Sequence, residues 1–534
     1  NWTLAAPSAI SWDGSTSTDW NVASNWSTNA VPTGSDDIII PSAPSNQPVV
    51  TSNPGTPAQC AALTVESGAT LTIDAGKALT VSGDTDNDGT ILVEADATGI
   101  GSFIDNGTIT GSGSFQMQQY LTGSGGATPN GVFYYVSSPI ANATAADYGV
   151  ASGNKLWIGQ EATQDYAQLT FGAIGLDVGQ GYIARMGSTG AITFDGSSYN
   201  TGNITEGSLT RTGTTETNRG YNLVGNPYPS TVSWDDATRT NLETTIWYRT
   251  NNGGTMTFDT YNATGMVGTN NNGGGNLTGD IPPTQGVWVR VSADGLMGSV
   301  AFENADRSHG TATGIYRLAA EEGTVRLSLS DGTISDEQII LFNTDADDLY
   351  DDYDSRKFWA ADIPQLYTNV NEDTLTINGL NSTATNPTVP LGIKLASSGN
   401  YTLDATTITL TQTPVYLEDV ELGVFQNLNT NPSYSFSEVQ GNIGDRFVLH
   451  FSEITGINEV ESNINIYSFQ NQIQVNLDAN ESGTITVFDL SGKEILSQPI
   501  NTNQTSIELN TAQGIYLVRV ETESETITRK VSIQ

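Results

Sequence analysis

A short apolar repeat punctuated by glycine restricts what the N-terminal part of this chain can fold into. The repeated pairs, each eight residues after the last, are Leu63/Val65, Leu71/Ile73 and Leu79/Val81. Gly68 and Gly76 separate them. Each unit indicates a strand of about four residues with two apolar side chains on one face, followed by a glycine turn. Three such units predict one coil of a β-solenoid, whose rungs bury a shared interior by stacking. An antiparallel meander is the alternative.

Strand-like alternation continues to the C-terminus, and the sequence shows no sustained helical period. Aromatic groups at 132–136, 156–158, 246–248 and 287–289 are separated by loops rich in Gly, Asn and Thr, a texture typical of a β-sandwich or jelly roll. Longer alternating strands follow them. The prediction is an all-β protein with a β-solenoid-like or meander region at 1–118, a β-sandwich or jelly-roll-like domain at 119–312, a second β-sandwich at 313–455 and an immunoglobulin-like sandwich at 456–534.

The charge balance excludes several classes of partner. The 534 residues carry 19 Lys and Arg against 58 Asp and Glu, a net charge of −39. An acidic surface repels phosphate, so neither nucleic acid nor an anionic membrane surface is expected to bind. No apolar run approaches the ~18 residues of a membrane helix, so we expect no membrane insertion. The lone cysteine, Cys60, excludes a disulfide framework and a cysteine-based zinc site.

Three segments near the C-terminus carry a family resemblance. They read GTITVFDLSGKEI at 483–495, GIYLVRV at 514–520 and TRKVSI at 528–533. Together they resemble the type A C-terminal sorting domain of cargo exported by the type IX secretion system of Bacteroidota. The resemblance implies a secreted or cell-surface protein that the secretion machinery recognises through residues 456–534. The family commonly has Asn-Pro after its first strand, and this chain departs from that pattern at 468–471.

Upstream segments resemble recurrent modules of large Bacteroidota surface proteins. They are Trp12-Asp13-Gly14 with Asn25-Trp26, the run YNLVGNPYP at 221–229, and VYLED at 415–419 with DRF at 445–447. This second resemblance implies a multidomain surface protein and identifies no activity.

Two acidic segments are candidate calcium sites, and no motif in the sequence requires a cofactor. In the first, carboxylates alternate before Gly89, as oxygen ligands do in calcium loops, and the second concentrates carboxylates that repel one another unless solvated, paired or metal-bound. The candidate ligands are Asp84, Asp86 and Asp88 in the first segment and Asp345, Asp347 and Asp351 in the second. The first segment needs no ion if it is a plain turn, since Asp, Asn and Gly are ordinary turn residues. A solvated loop is the default interpretation of the second segment.

Glycan binding is the chief binding hypothesis. Sugar sites in β-sandwiches use exposed aromatic rings beside amide and carboxylate groups, and Trp157, Trp247 and Trp288 lie in the aromatic-rich middle region. The alternative is that these rings belong to the core.

Linear motifs for catalysis are missing. A Ser-His-Asp site would have to use His309 or His450, and no nucleophile-elbow motif accompanies either. Paired carboxylates of a glycosidase cannot be singled out among 58 acids. We therefore predict a non-catalytic, exported structural or adhesive protein that assembles head to tail as a fibre subunit. A carbohydrate-binding surface protein is the alternative, followed by a secreted glycoside hydrolase.

Overall fold

The computed structural model is all-β. It describes residues 9–42, 44–123, 132–150, 153–215, 218–252, 255–271, 277–310, 323–381, 387–452, 464–469, 472–477, 482–509, 511–512, 514–523 and 526–533. Short 3₁₀ turns lie at Ala23–Asn25 and Asn304–Asp306. The chain divides into two compact units, Asn1–Gly268 with Asn276–Leu318, and Thr269–Gly275 with Ala319–Gln534.

The first unit begins with a β-solenoid of about four coils. Its strands are β1 (Ile10–Ser11), β2 (Ile38–Ile40), β3 (Val49–Val50), β4 (Ala58–Cys60), β5 (Leu63–Val65), β6 (Thr70–Ile73), β7 (Ala78–Val81), β8 (Thr85–Asn87), β9 (Thr90–Val93), β10 (Ala95–Asp96), β11 (Gly99–Ile100), β12 (Ser102–Asp105), β13 (Ile109–Thr110) and β14 (Ser114–Leu121). They stack in parallel in the orders β1-β2-β5-β8-β13, β12-β7-β4 and β14-β9-β6-β3, while β10 and β11 form a small antiparallel hairpin.

The apolar repeat is one coil of this solenoid, which confirms the solenoid prediction over the meander. Its three units are β5, β6 and β7, one on each sheet. Side chains then stack from coil to coil; Leu71 pairs with Ile91, which pairs with Phe115. All three are buried. Gly68 and Gly76 adopt positive φ in the turns between these strands, which lets such short strands close a coil.

The remaining strands of the first unit are largely antiparallel. They are β15 (Tyr134–Val136), β16 (Lys155–Gln160), β17 (Asp165–Leu169), β18 (Tyr182–Arg185), β19 (Gly190–Gly196), β20 (Ile204–Leu209), β21 (Tyr221–Gly225), β22 (Thr231–Ser233), β23 (Thr238–Thr240), β24 (Thr245–Asn252), β25 (Thr255–Asn262), β26 (Val267–Gly268), β27 (Asp280–Ile281), β28 (Gly286–Arg290), β29 (Gly298–Phe302) and β30 (Arg307–Ser308). Strand order is β15-β18-β16-β17, β20-β29-β23, β21-β28-β24-β25-β26 and β27-β22-β30.

A cluster of three tryptophans closes the N-terminal end of the solenoid core. The Trp26 ring meets the rings of Trp12 and Trp20 edge to face, at centroid distances of 4.9 and 4.7 Å. All three rings are fully buried. The Trp12 Nε1–H donates to the Asn46 carbonyl at 2.7 Å, which ties the cluster to the loop before β3. The WDG and Asn-Trp segments of the sequence are therefore parts of a cap.

Strand β14 closes the other end. Its first half pairs in parallel with β9, and along its length it pairs antiparallel with β19. The Tyr199 ring packs 4.6 Å from Phe115 and 5.0 Å from Phe103. The solenoid core thus continues to Tyr199, and the predicted boundary at 118 falls inside β14; a separate core follows between Leu209 and Phe302.

The second unit contains a large sheet whose two halves share one core. Its strands are β31 (Thr324–Ser330), β32 (Ser335–Asn343), β33 (Ser355–Arg356), β34 (Gln365–Val370), β35 (Asp373–Asn381), β36 (Thr388–Leu395), β37 (Gly399–Ile408), β38 (Tyr416–Asp419), β39 (Val424–Asn427), β40 (Ser433–Glu438) and β41 (Gly441–His450). The order is β39-β38-β41-β36-β34-β35-β32-β31-β37-β40, with β33 against β35. Strands β39 and β40 are its edges. The boundaries predicted at 312 and 455 lie outside the described residues.

A small sandwich with its own core ends the chain. Its strands are β42 (Ile464–Phe469), β43 (Gln472–Leu477), β44 (Gly483–Phe488), β45 (Glu494–Ile500), β46 (Gln504–Glu508), β47 (Gly514–Thr522) and β48 (Thr526–Ile533). They pair antiparallel in the orders β42-β43-β46 and β45-β44-β47-β48. Two facing antiparallel sheets are the arrangement that the immunoglobulin-like prediction requires. Among the described residues, no helix is long and apolar enough to cross a membrane.

Candidate functional site

The three C-terminal sequence segments meet in one sheet. GTITVFDLSGKEI supplies β44, a turn and the start of β45, GIYLVRV lies in β47, and TRKVSI lies in β48. These strands are neighbours in the order β45-β44-β47-β48. Strand pairing therefore gathers segments that are far apart in sequence onto a single surface.

Alternation along these strands separates an apolar inner side from a polar outer face. Ile485, Val487, Val518, Val520 and Val531 are buried in the core of the sandwich. Apolar side chains on the inward side and polar ones on the other are the usual pattern of an antiparallel sheet that faces water on one side. The inner side holds the sandwich together, which leaves the outer side to contact other molecules.

The outer face, which we define as Phe488, Leu517, Arg519, Glu521 and Lys530, has both charged and apolar character. Arg519 lies opposite Thr486, and Leu517 lies between Phe488 and Lys530. The Arg519 guanidinium sits over the Phe488 ring, 5.1 Å from its centroid. The Arg519 Nε also lies 3.4 Å from a Glu521 carboxylate oxygen, so the face combines an ion pair with the Lys530 cation. Such a face suits recognition of another protein.

The turn between β44 and β45 is held by Asp489. The carboxylate accepts hydrogen bonds from the Ser491 hydroxyl at 2.6 Å and from the backbone amides of Ser491 and Lys493 at 2.8 and 3.0 Å. The hydrogen bonds from Ser491 lower the pKa of Asp489 below its ordinary value. Gly492 closes the turn at φ +82°, where a side chain would be strained. The exposed Leu490 stands at the tip, 65% accessible.

The first predicted calcium segment forms a ladder between coils. Each carboxylate accepts hydrogen bonds from a residue 24 positions later, on the neighbouring coil. The pairs are Asp84 with Thr108, Asp86 with Thr110 and Asp88 with Ser112. These hydrogen bonds lower the pKa values of Asp84 and Asp88. Strand alternation spaces the carboxylates along β8 instead of turning them toward a common point.

The second acidic segment binds its own backbone. Asp351 accepts the amide of Asp347 at 2.7 Å, and Asp354 accepts the amides of Asp351 and Gly379 at 2.9 and 2.8 Å. The Asp345 amide donates to another side chain, Asn343. Burial raises the pKa of Asp354 to about 7. Within the described residues, no group of three His, Cys, Asp or Glu side chains is placed to hold a metal ion, so the placement lends calcium no support.

The three candidate glycan tryptophans are mainly core residues. Trp247 is fully buried against Tyr221, with ring centroids 5.2 Å apart. Trp288, its partner across the β24–β28 pair, is 7% exposed and packs on Tyr135. Trp157 is half-buried. Neither Trp247 nor Trp288 can offer a ring face to a sugar, because strand pairing turns both into the protein.

Sequence reasoning missed the exposed tryptophan. Trp359 is 42% accessible, lies edge to face with Tyr367 at 5.3 Å, and has the Lys394 ammonium 4.7 Å from its centroid. Its signal in the sequence is its position between β33 and β34, outside any alternating run. An isolated tryptophan in a connecting segment is a better candidate for exposure than one flanked by Val and Ile.

Both histidines are engaged in holding strands together. The His309 ring lies between the Thr80 and Ser102 hydroxyls, with Nε2 and Nδ1 at 2.7 and 2.8 Å. Burial lowers the pKa of His309 to about 4, so the ring is neutral at neutral pH. Ser102 is itself buried, out of reach of a substrate. His450 Nε2 lies 2.7 Å from a Glu418 carboxylate oxygen.

A buried polar junction that the sequence did not reveal lies beside the solenoid. The Tyr199 hydroxyl donates to the Asp105 carboxylate, and the Arg307 guanidinium donates to the Asp105 carbonyl. All three residues are at most 8% exposed. Burial raises the pKa of Tyr199 far above its ordinary value. The junction fastens the segment after β29 to the last complete coil.

Comparison with known proteins supports the sorting-domain interpretation of the C-terminal segments. Residues 455–534 match the family model described as a secretion system C-terminal sorting domain. The fold and the gathered segments therefore define a cargo protein of type IX secretion, exported to the cell surface or beyond it. Its sorting domain interacts with the secretion machinery.

The rest of the chain has a family of its own. Residues 11–451 match the model described as "Domain of unknown function (DUF8693)", and the chain belongs to that family. No curated protein matches the chain. One similar solved structure is titled "Biofilm associated protein - BSP domain"; it is 10% identical and covers 78% of this chain and 96% of its own, with a TM-score of 0.14. A TM-score this low does not indicate a common fold.

Proposed function

We propose that this exported protein is a non-catalytic structural or adhesive component of the cell surface, and that its copies assemble head to tail into fibres. The observation that carries the proposal is that exposed carboxylates of the solenoid form hydrogen bonds with the next coil. Asp84, Asp86 and Asp88 each bind the neighbouring coil instead of converging on a ligand. Side chains that cross-link successive coils make the solenoid stiffer, and a surface fibre requires a stiff scaffold.

The state of the nucleophiles and bases supports a non-catalytic role. The two histidines of the chain are His309, buried between hydroxyls, and His450, paired with Glu418. Cys60 is buried, and burial raises the pKa of its thiol, which keeps it from acting as a nucleophile. A Ser-His-Asp reaction needs a histidine that a substrate can approach.

Electron microscopy of the protein taken from its native cell surface tests the fibre proposal, with light scattering alongside. We expect regular fibres with an axial repeat near the length of one chain. Discrete monomers in every native preparation would contradict fibre formation.

Carbohydrate binding is the second candidate, and Trp359 is the observation that favours it. An exposed indole beside a lysine and a tyrosine can stack on a sugar ring. A glycan array probed with the full chain and with Trp359→Ala tests it, with Tyr166→Ala, another exposed aromatic, as the matched control. Binding that Trp359→Ala alone abolishes supports this function; the absence of binding by the unmodified chain argues against it.

A further inference from the structure

We infer that Trp359 and Lys394 form a binding site for a sugar that carries a carboxylate, the chemistry of a uronic acid. This inference rests on the second candidate function, carbohydrate binding, and names the class of sugar. It starts from a surface patch on the second compact unit, to which four parts of the chain contribute. The patch consists of Trp359 in the segment between β33 and β34, Tyr367 in β34, Lys394 in β36 and Asn442 in β41.

A buried glutamine fixes the segment that carries the tryptophan. The Gln365 side-chain oxygen accepts the Ala360 amide at 3.3 Å, and its side-chain nitrogen donates to the Ala360 carbonyl. Gln365 is 1% exposed, so water does not compete for either hydrogen bond. Because Ala360 directly follows Trp359, these bonds hold the backbone beside the indole. A ring that is held in place before a ligand arrives loses less conformational freedom on binding.

Tyr367 joins the tryptophan to the sheet. Its ring lies across Gly392, where an added Cβ would come 2.1 Å from a ring carbon, and it packs edge to face with Trp359. The Tyr367 hydroxyl donates to the Asn442 side-chain oxygen at 2.6 Å. Tyr367 is buried, whereas Trp359 keeps an exposed surface. The tyrosine therefore supports the platform, and the indole is the ring that a ligand can reach.

Two polar side chains accompany the exposed indole. Lys394 and Asn442 are exposed partners across the β36–β41 pair, and the Lys394 ammonium is the cation that lies over the Trp359 ring. Because the Asn442 oxygen accepts from Tyr367, the amide N–H groups of Asn442 remain for a ligand, and no described residue accepts from them. An indole offers an apolar surface on which a pyranose ring stacks, and amide N–H groups donate to its oxygens.

The charge of Lys394 selects the kind of sugar. The chain has 58 acidic residues against 19 basic ones, yet Lys394 forms no ion pair with any carboxylate that the structure describes. An ammonium without a carboxylate of its own can take one from a ligand, and a charge-assisted hydrogen bond is roughly twice as strong as a neutral one. A sugar stacked on the exposed part of the indole brings a ring carboxylate within reach of this side chain.

The net charge of the chain limits the length of the ligand. A value of −39 opposes the approach of a long polyanion. At physiological ionic strength, charges more than ~8 Å apart are largely screened, so a single carboxylate at Lys394 interacts mainly with its immediate surroundings. We therefore expect short oligosaccharides with isolated uronic acids to bind better than long acidic chains.

An array of uronic-acid oligosaccharides, each printed beside its carboxyl-reduced counterpart, tests the inference on the full chain. The two members of a pair differ only in a carboxylate that is replaced by a hydroxymethyl group. Titration calorimetry then gives the Kd for the best pair. We expect the acid to bind about fivefold to tenfold more tightly than its reduced counterpart, the gain of an exposed charge-assisted contact.

Three variants assign the contacts. Lys394→Met removes the charge and keeps an apolar stem, so it should bind both members of the pair with the same Kd. Trp359→Ala should bind neither. Lys155→Met, at another exposed lysine, is the matched control and should keep the preference for the acid. Thermal unfolding at pH 7 checks that each variant folds like the unmodified chain.

The outcomes separate this inference from the carbohydrate-binding function. Equal binding of acid and reduced sugars by the unmodified chain, lost in Trp359→Ala, would overturn the inference and leave that function standing. A preference for the acid that persists in Lys394→Met would also overturn it, because the carboxylate would then be recognised elsewhere. If the unmodified chain binds no sugar on the array, both the inference and the function fail.

Discussion

The carboxylate of Asp84 accepts two hydrogen bonds from Thr108, one from the backbone amide at 2.8 Å and one from the hydroxyl at 2.6 Å. Thr108 lies 24 residues further on and belongs to the neighbouring coil. Asp88 repeats the arrangement with Ser112. The solenoid is thus held by two systems, its apolar interior and an exposed ladder of carboxylates bound to amides and hydroxyls.

The ladder predicts sensitivity to acid. The folded-state pKa values of Asp84 and Asp88 are lowered by these hydrogen bonds, so their contribution to stability is present above the unfolded pKa, ~3.9, and is lost as pH falls through the folded value. We expect the Asp84→Asn/Asp88→Asn double variant to unfold at a lower temperature at pH 7 and to show a weaker further decrease below pH ~4. Circular dichroism against temperature measures both. Exposed Glu372→Gln is the control, and an equal acid response in the double variant would contradict the ladder's role.

His309 predicts a second, separate pH window. Its pKa is about 4 in the folded protein against an ordinary value of 6.5, chiefly because of burial and then because of the nearby Arg307 charge. Between these values the unfolded chain binds more protons, so stability is full above pH 6.5 and falls as pH drops toward 4. The loss reaches about 3 kcal/mol at most. We expect His309→Gln to remove this window and His450→Gln to keep it. Urea titrations at pH 7, 5.5 and 4 test the prediction, which fails if His309→Gln retains the full slope.

The tryptophan cap predicts a large loss from one truncation. Trp26 touches both Trp12 and Trp20, and its Nε1–H donates to the Trp20 carbonyl at 2.9 Å. Trp26→Ala removes both ring contacts and leaves a cavity at the end of the core, at a cost of about 3–5 kcal/mol in free energy of unfolding. Tyr166→Ala, at an exposed ring, should cost far less. Thermal and urea unfolding of the two variants measure these losses in free energy of unfolding. Similar losses in both variants would contradict the stabilising role of the tryptophan cap.

Export predicts a dependence on the folded sorting domain. Val518 is fully buried between the two sheets of the sandwich. Val518→Asp buries an unpaired carboxylate there, which costs enough to unfold a small domain. We expect the chain to accumulate inside the cells, whereas exposed Glu508→Gln is exported normally. Immunoblots of cells and medium measure the partition. Normal export of Val518→Asp would show that the outer face is not what the machinery reads.

Local periodicity predicted the parts of the fold that short-range patterns control. Leu63/Val65 and its two repeats revealed the solenoid because each coil closes within 24 residues and glycine marks its corners. The C-terminal sandwich could be predicted for the same reason, because Ile485/Val487 and Val518/Val520 alternate with polar residues along their strands. What alternation cannot give is the partner of each strand. Strand β14 looks like one more rung, yet its second neighbour, β19, lies far along the chain.

The candidate sites were harder to predict from the sequence, because they depend on the direction in which each side chain points. Asp84, Asp86 and Asp88 alternate as calcium ligands would, and the same alternation aligns them with hydroxyls one coil away. From the sequence, the rings of Trp247 and Trp288 could be sugar-binding platforms or core residues. Only the pairing of their strands shows that they lie opposite each other in the interior.

Because the solenoid is closed at both ends, coils can be added between the ends without changing either of them. The tryptophan cap needs only the first coil beneath it, and β14 needs only the last coil before it. A gene duplication that adds 24 residues between them would insert one more coil, with its own carboxylates and hydroxyls in register, and would disturb neither terminus. The solenoid can therefore change in length by whole coils while the sorting domain stays the same.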